Sequence, residues 1–200
     1  MARHERPRAH HSSISRTQIA STAARLMAQD GITDVGQAKK KAARQLGLPE
    51  SIPLPDNSEV EAELRLYQAL YQSGTHPAQV RRLRAEASRI MDFLAEFRPY
   101  LTGSVLDGTA SAFSTIDLML FADSAKEVEI FLLNQGIDFD HAEPRNDKAE
   151  AVLQLSTPQA EFNLIIFPQQ LERHTFRHRD GRPRERIRLD ALNRLLESDA

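Results

Sequence analysis

The chain of 200 residues contains no cysteine and no tryptophan. Disulfides, thiolate nucleophiles, zinc-cysteine sites and iron-sulfur clusters are therefore excluded, because each needs a sulfur that is missing. Glycine is scarce, at 8 residues, and aromatic side chains make up only 6%. Neither sign of charge dominates: 26 basic and 28 acidic side chains leave a net charge of −2. No global electrostatic pull toward nucleic acid or an anionic membrane follows. No stretch approaches the roughly 18 apolar residues that cross a bilayer. The basic start, MARHERPRAHHSS, is not followed by the apolar run of a secretory signal. What remains is 40% hydrophobic and 27% charged, an ordinary globular composition. The expectation is a soluble cytoplasmic protein with no membrane partner.

Residues 1–13 offer almost nothing to bury and read as a disordered basic tail, with a nucleic-acid-binding arm as the sharper alternative. From Ser15 the spacing turns helical. Ile19, Ala23, Leu26 and Met27 form one stripe behind a Ser15/Gln18 capping box, and Gly31 follows as a stop. A second helix is expected from Asp34 to Leu46, with Lys39, Lys40 and Lys41 on a solvated face. Three prolines in LPESIPLPDN enforce an extended connection. A third helix starts near Ser58, and a fourth runs over 77–98 on the stripe Val80, Leu83, Ala87, Ile90, Met91 and Leu94. Residues 14–98 thus read as a helical module.

After Pro99 the pattern becomes short strands, expected at 100–105, 116–122, 137–141, 151–156 and 160–167. One capped helix interrupts them, with Ser124 as N-cap and Glu127 as its box partner. A last helix spans about 189–197, so residues 99–200 form a small mixed sheet with helices and the class is α+β.

The segment that carries chemistry is LTGSVLDGTASAFSTIDLMLF, residues 101–121. A Gly103-Ser104 turn after a strand can offer backbone N–H groups and a hydroxyl to a phosphate oxygen. Asp117, on the next strand, can face the same cleft and hold Mg²⁺, a hard cation that prefers carboxylate and phosphate oxygens.

Residues 103–118 resemble the signature of the nucleotidyltransferase superfamily, the polymerase-beta-like fold. That signature is Gly-Ser, three residues, Gly, five residues, then Ser-Asp-x-Asp-Leu. Gly103, Ser104, Gly108, Ser114, Asp117 and Leu118 match it in type and spacing. The resemblance implies transfer of a nucleoside monophosphate from a nucleoside triphosphate to an acceptor, whether protein, RNA or small molecule, with Mg²⁺ and pyrophosphate as leaving group. It implies phosphate binding by Gly103, Ser104, Gly108 and Ser114, and a metal on Asp117. The departures lie among the carboxylates. Thr115 stands where active members carry the first aspartate, and Asn163 stands where a third is expected. Asn163 or Glu161, on one face of the strand, is the candidate to help Asp117 hold Mg²⁺, and Glu161 or Asp107 in the loop is the carboxylate that would complete the metal shell. The alternative is a catalytically degenerate relative that binds a nucleotide or a regulatory partner.

Other readings compete. Residues 173–188 hold 7 of the 21 arginines, suited to phosphate contacts on a triphosphate or a nucleic-acid backbone, with a solvated, partly mobile loop as the plainer reading. Asp180 and Gly181 mark a turn at its tip. His174 and His178 share a face only in a helix and lack the glutamate of a zinc motif. Residues 16–48 superficially resemble the opening helices of tetracycline-repressor-type regulators, but prolines follow where a recognition helix would have to begin. Base preference and oligomeric state are not legible.

Overall fold

The computed structural model describes residues 8–178 and 181–198. The chain divides into two compact units, Met1–His76 with Ser111–Phe113, and Pro77–Ala110 with Ser114–Ala200.

The first unit is helical: α1 (Arg8–Asp30), α2 (Val35–Gln45) and α3 (Asn57–Tyr71). Ile19, Ala23, Leu26, Ala38, Ala42 and Val60 close its core, as the stripes require. Asp34 caps α2 by accepting from the Gln37 amide, and Asp56 and Glu59 form the capping box of α3. Two expectations need correction. Helix α1 already begins at Arg8, so 8–13 are not a disordered tail and Ser15 and Gln18 are interior to the helix; residues 1–7 lie outside the described residues. Lys39 does not lie on a solvated face: its Nζ donates to the Pro55 carbonyl (2.9 Å) and to Asn57 Oδ1 (2.8 Å), tying α2 to the start of α3.

The second unit opens with α4 (His76–Phe93) and a short 3-10 turn, Ala95–Phe97. Then come β1 (Tyr100–Thr102), α5 (Ser104–Asp107), β2 (Ile116–Ala122), α6 (Ala125–Asn134), β3 (Asp140–Ala142), β4 (Ala151–Ser156), β5 (Glu161–Pro168), β6 (Arg186–Ile187) and α7 (Leu189–Ser198). The strands make one mixed sheet ordered β3-β4-β5-β2-β1-β6, in which β2 and β5 run parallel and the other neighbours antiparallel. The α+β class is therefore shown.

Alternation along the strands splits the side chains between two faces. Leu101, Ile116, Leu118, Leu120, Leu164 and Ile166 pack on one face with Leu83 and Met91 of α4, Val128 of α6 and Leu192 of α7. Each such side chain contributes about 1.5–3 kcal/mol on burial. Helix α4 thus belongs to the sheet unit, and the unit boundary falls at His76 rather than at Arg98: the apolar stripe of α4 needs the sheet to cover it. Tyr100, Met119, Phe121 and Phe167 face the other way and are covered by Phe176.

Local differences have local causes. The strand expected over 100–105 stops at Thr102, because Gly103 turns the chain into α5. The strand expected over 137–141 forms at 140–142. Ser124 stands at the N-cap of α6 without a side-chain hydrogen bond; the Ala125 amide donates instead to Glu150 Oε2 (3.0 Å). The arginine-rich segment is ordered where described. It brings Arg177 opposite Pro183, buries Phe176 to 4% exposure, and ends as β6 on the edge of β1. The Gly181 amide donates to the His178 carbonyl, as a turn there requires, while Asp180 lies outside the described residues.

Candidate functional site

Strand register builds a polar row across the second face of the sheet. Thr102 lies opposite Asp117, Asp117 opposite Asn163, and Asn163 opposite Gln154. Asn163 Nδ2 donates to Asp117 Oδ1 (2.8 Å), and Gln154 Nε2 donates to Asn163 Oδ1 (3.2 Å). This direction is dictated chemically: the carboxylate can only accept, so the asparagine must present its amide nitrogen to it. At the other end Thr102 Oγ1 donates to the Glu185 carbonyl (2.7 Å), holding the chain beside Arg184 and Arg186 against β1.

Gly103 follows directly, with φ 75° and ψ −159°, a conformation that only glycine adopts readily. A Cβ built there would lie 2.9 Å from Asp117 Oδ2. The missing side chain thus makes room for the Asp117 carboxylate. Gly108 ends the single helical turn α5 in the left-handed region, at φ 74°. Arg84 of α4 fastens that turn, its Nε and Nη2 donating to the carbonyls of Val105 (3.1 Å) and Leu106 (2.8 Å). Ser104 opens α5, and Ser114 lies two residues ahead of β2. Gly103 and Asp117, expected to face one cleft, lie close enough that a side chain at position 103 would press on the Asp117 carboxylate.

Burial pushes the Asp117 carboxyl above its ordinary value of 3.8, against the Asn163 hydrogen bond and the charges of Arg184 and Arg145, which favour the ionised form. The folded chain therefore holds this proton more tightly than the unfolded chain. Ionisation of Asp117 costs stability, and the cost appears as pH rises from about 4 through the folded-state value. Thermal melts of the wild type and Asp117→Asn from pH 4 to 8 should show the variant gaining on the wild type as pH rises. A wild type that gains on the variant would contradict this assignment.

The metal expected from the resemblance can be tested against these atoms. A two-metal centre needs cations about 3.5–4 Å apart, shared among several carboxylate oxygens. Here an N–H donor is aimed at Asp117 where a second anionic ligand would stand, and the Asn163 carbonyl oxygen is turned to Gln154. Glu161, two residues from Asn163 and roughly 7 Å along the strand, accepts from Ser156 Oγ at 2.6 Å. Asp107 is exposed on α5, and Thr115 precedes β2 without a charge to offer. Among the described residues no group of three or more His, Asp or Glu side chains is placed to hold a metal ion. The residues present do not fit the metal pair. His174 and His178 lie outside any helix and so do not share a helical face.

Sequence spacing did not reveal Gln154, Arg145 or Arg184 as neighbours of this row. Gln154 reaches it through strand pairing, Arg184 lies in the returning C-terminal segment and Arg145 in the loop between β3 and β4, and none of these leaves a periodic signal. No helix among the described residues is long and apolar enough to cross a membrane. No protein-family model matches the chain, and no curated protein matches it.

Proposed function

We propose that this chain is a nucleotide-binding protein built on the nucleotidyltransferase plan, degenerate in its metal centre. It holds the polyphosphate of a nucleoside triphosphate at the polar row beside Gly103, Ser104 and Asp117. The observation that carries this reading is the Asn163 Nδ2 to Asp117 Oδ1 hydrogen bond at 2.8 Å. It leaves one partly neutralised acid where nucleotidyl transfer to an acceptor would need several ionised ones. Arg184 and Arg145, which act electrostatically on Asp117, supply positive charge of the kind that suits phosphate. A cytoplasmic location belongs to the same proposal, because nucleoside triphosphates are abundant there.

Titration calorimetry with ATP, GTP, CTP and UTP, with and without Mg²⁺, tests it. Binding that changes little with Mg²⁺ and weakens about tenfold in Arg184→Gln, the scale of one charge-assisted contact, is expected. A parallel incubation with labelled triphosphates and cell extract should yield no labelled product. Product formation abolished by Asp117→Ala would instead establish an active transferase. Absence of affinity for all four nucleotides would remove the nucleotide reading altogether.

A further inference from the structure

The polar row does not stop at Gln154. Gln154 lies opposite Asp140 of β3. The next residue, His141, turns to the other face of the sheet, where its Nε2 lies 3.0 Å from Glu129 Oε1 of α6. Asp140 therefore shares the face of Gln154, Asn163, Asp117 and Thr102. Exposure rises along the row: Thr102 is buried, Asp117 and Asn163 are half-buried, and Gln154 and Asp140 are exposed. From Asp117 to Asp140 the row crosses three strand spacings, about 14 Å, comparable with the length of an extended nucleoside triphosphate.

The hydrogen bonds along it run in one direction. Because the Asp117 carboxylate accepts, Asn163 turns its amide nitrogen to Asp117 and its oxygen to Gln154, and Gln154 in turn donates one Nε2 hydrogen to Asn163. Gln154 Oε1 and the second Nε2 hydrogen are left at the free end, beside a carboxylate across the strand pair, where opposed Cβ atoms stand about 5 Å apart. Among the described residues neither Gln154 Oε1 nor the Asp140 carboxylate receives a hydrogen bond. The cations of the loop after β3 are directed elsewhere: Arg145 acts on Asp117, and Lys148 Nζ lies 2.9 Å from His174 Nε2. The outer end of the row thus offers an amide edge followed by a charged acceptor.

From this polarity we infer that the site selects guanine. The inference rests on the nucleotide reading above: the triphosphate lies at the Gly103 end and the base reaches β4 and β3. Guanine presents O6, N1–H and the N2 amino group in sequence. The Gln154 amide donates to O6 and accepts from N1–H, and Asp140 accepts from the N2 amino group. Adenine and cytosine set a ring acceptor beside their single amino group, and uracil flanks one N–H with two carbonyls. None of the three has a second N–H for Asp140.

Calorimetric titration of the full chain with GTP, ITP, ATP and inorganic tripolyphosphate tests this. GTP is expected to bind at least about tenfold more tightly than ATP, and than ITP, which lacks the N2 amino group; that is the scale of one hydrogen bond to a charged acceptor. In Asp140→Ala the GTP affinity should fall about tenfold, to the level of ITP, while ATP and tripolyphosphate are not weakened. Loss of a negative charge by itself would strengthen every polyphosphate ligand, so the two effects differ in sign. Gln154→Leu, with its fold checked by circular dichroism, should also narrow the preference for GTP. Glu143→Gln, altered at an exposed acid just past β3, is the control and should leave the ratio of GTP to ATP affinity unchanged. Equal affinities for GTP, ITP and ATP, a preference for ATP, or a ratio unchanged in both site variants would overturn the guanine assignment. Tripolyphosphate binding with equal nucleotide affinities removes that assignment alone, whereas absence of all binding removes the nucleotide reading with it.

Discussion

Gly103→Ala is expected to lower the stability of the sheet unit by about 2–3 kcal/mol, the scale of a side chain forced into a glycine-only conformation. Two effects act together. The backbone at φ 75° and ψ −159° is strained for any L side chain, and the new Cβ would meet Asp117 Oδ2 at 2.9 Å, below ordinary contact. The carboxylate must then move, which loosens its hydrogen bond from Asn163. Gly136→Ala is the control: φ is 69°, but nothing lies within 4 Å of its Cβ position, so only the left-handed cost of about 1–2 kcal/mol is expected. Denaturant melts of both variants, with nucleotide titrations alongside, separate strain from displacement. Equal destabilisation in the two would show that the glycine does not serve the carboxylate.

Restoring the missing acid should have an effect of similar size and opposite use. In Asn163→Asp the donor at 2.8 Å from Asp117 Oδ1 becomes a second carboxylate. Two like charges at that separation cannot both ionise freely, so one carboxyl is raised by roughly two pH units, equivalent to about 2–3 kcal/mol at pH 8. The loss should fade on acidification toward pH 4, where the pair protonates. Adding Mg²⁺ or Mn²⁺ should recover about 1.4 kcal/mol at tenfold excess over its dissociation constant, because a cation now meets two anionic ligands. The wild type should not respond. A wild-type melting temperature that rises as much with Mg²⁺ would show that the native residues already bind the metal, and the metal-poor reading would fall.

Both experiments turn on the contrast between local chemistry and pairing. The helical stripes were legible because each is a short-range pattern: Ile19, Ala23 and Leu26, or Val80, Leu83 and Ala87, repeat at the spacing of one helix face and are buried. The strands at 116–122 and 151–156 were legible from composition alone. Which helix covers which surface was not. Helix α4 has the same kind of stripe as α1, and only packing shows that it lies on the sheet. The capping of α6 by Glu150 was equally hidden, since the donor and acceptor are 25 residues apart.

The arginine-rich segment shows the same limit from the other side. Its charge suggests a solvated loop, yet Arg186 stacks over Tyr100 at 4.6 Å, Phe121 at 5.1 Å and Phe176 at 5.5 Å from the ring centroids. It also donates to the carbonyls of Glu172 and His174. Cation-π stacking and backbone acceptors offset the burial of that guanidinium. Nothing in the local sequence distinguishes Arg186 from Arg182 or Arg184.

The sequence by itself determined the order of helices and strands, the glycine turn ahead of an acidic strand, and the shortage of carboxylates around it, because these depend on residue type and near spacing. Tertiary structure alone decided that Asn163 gives its amide to Asp117, that Gly103 yields space to that carboxylate, and that Arg98, Glu172 and Arg188 surround one cavity. The Asn163–Asp117, Arg98–Glu172 and Arg188–Tyr100 hydrogen bonds join residues 46, 74 and 88 positions apart. Strand register and chain closure bring them together, and neither is encoded in any short window of the chain.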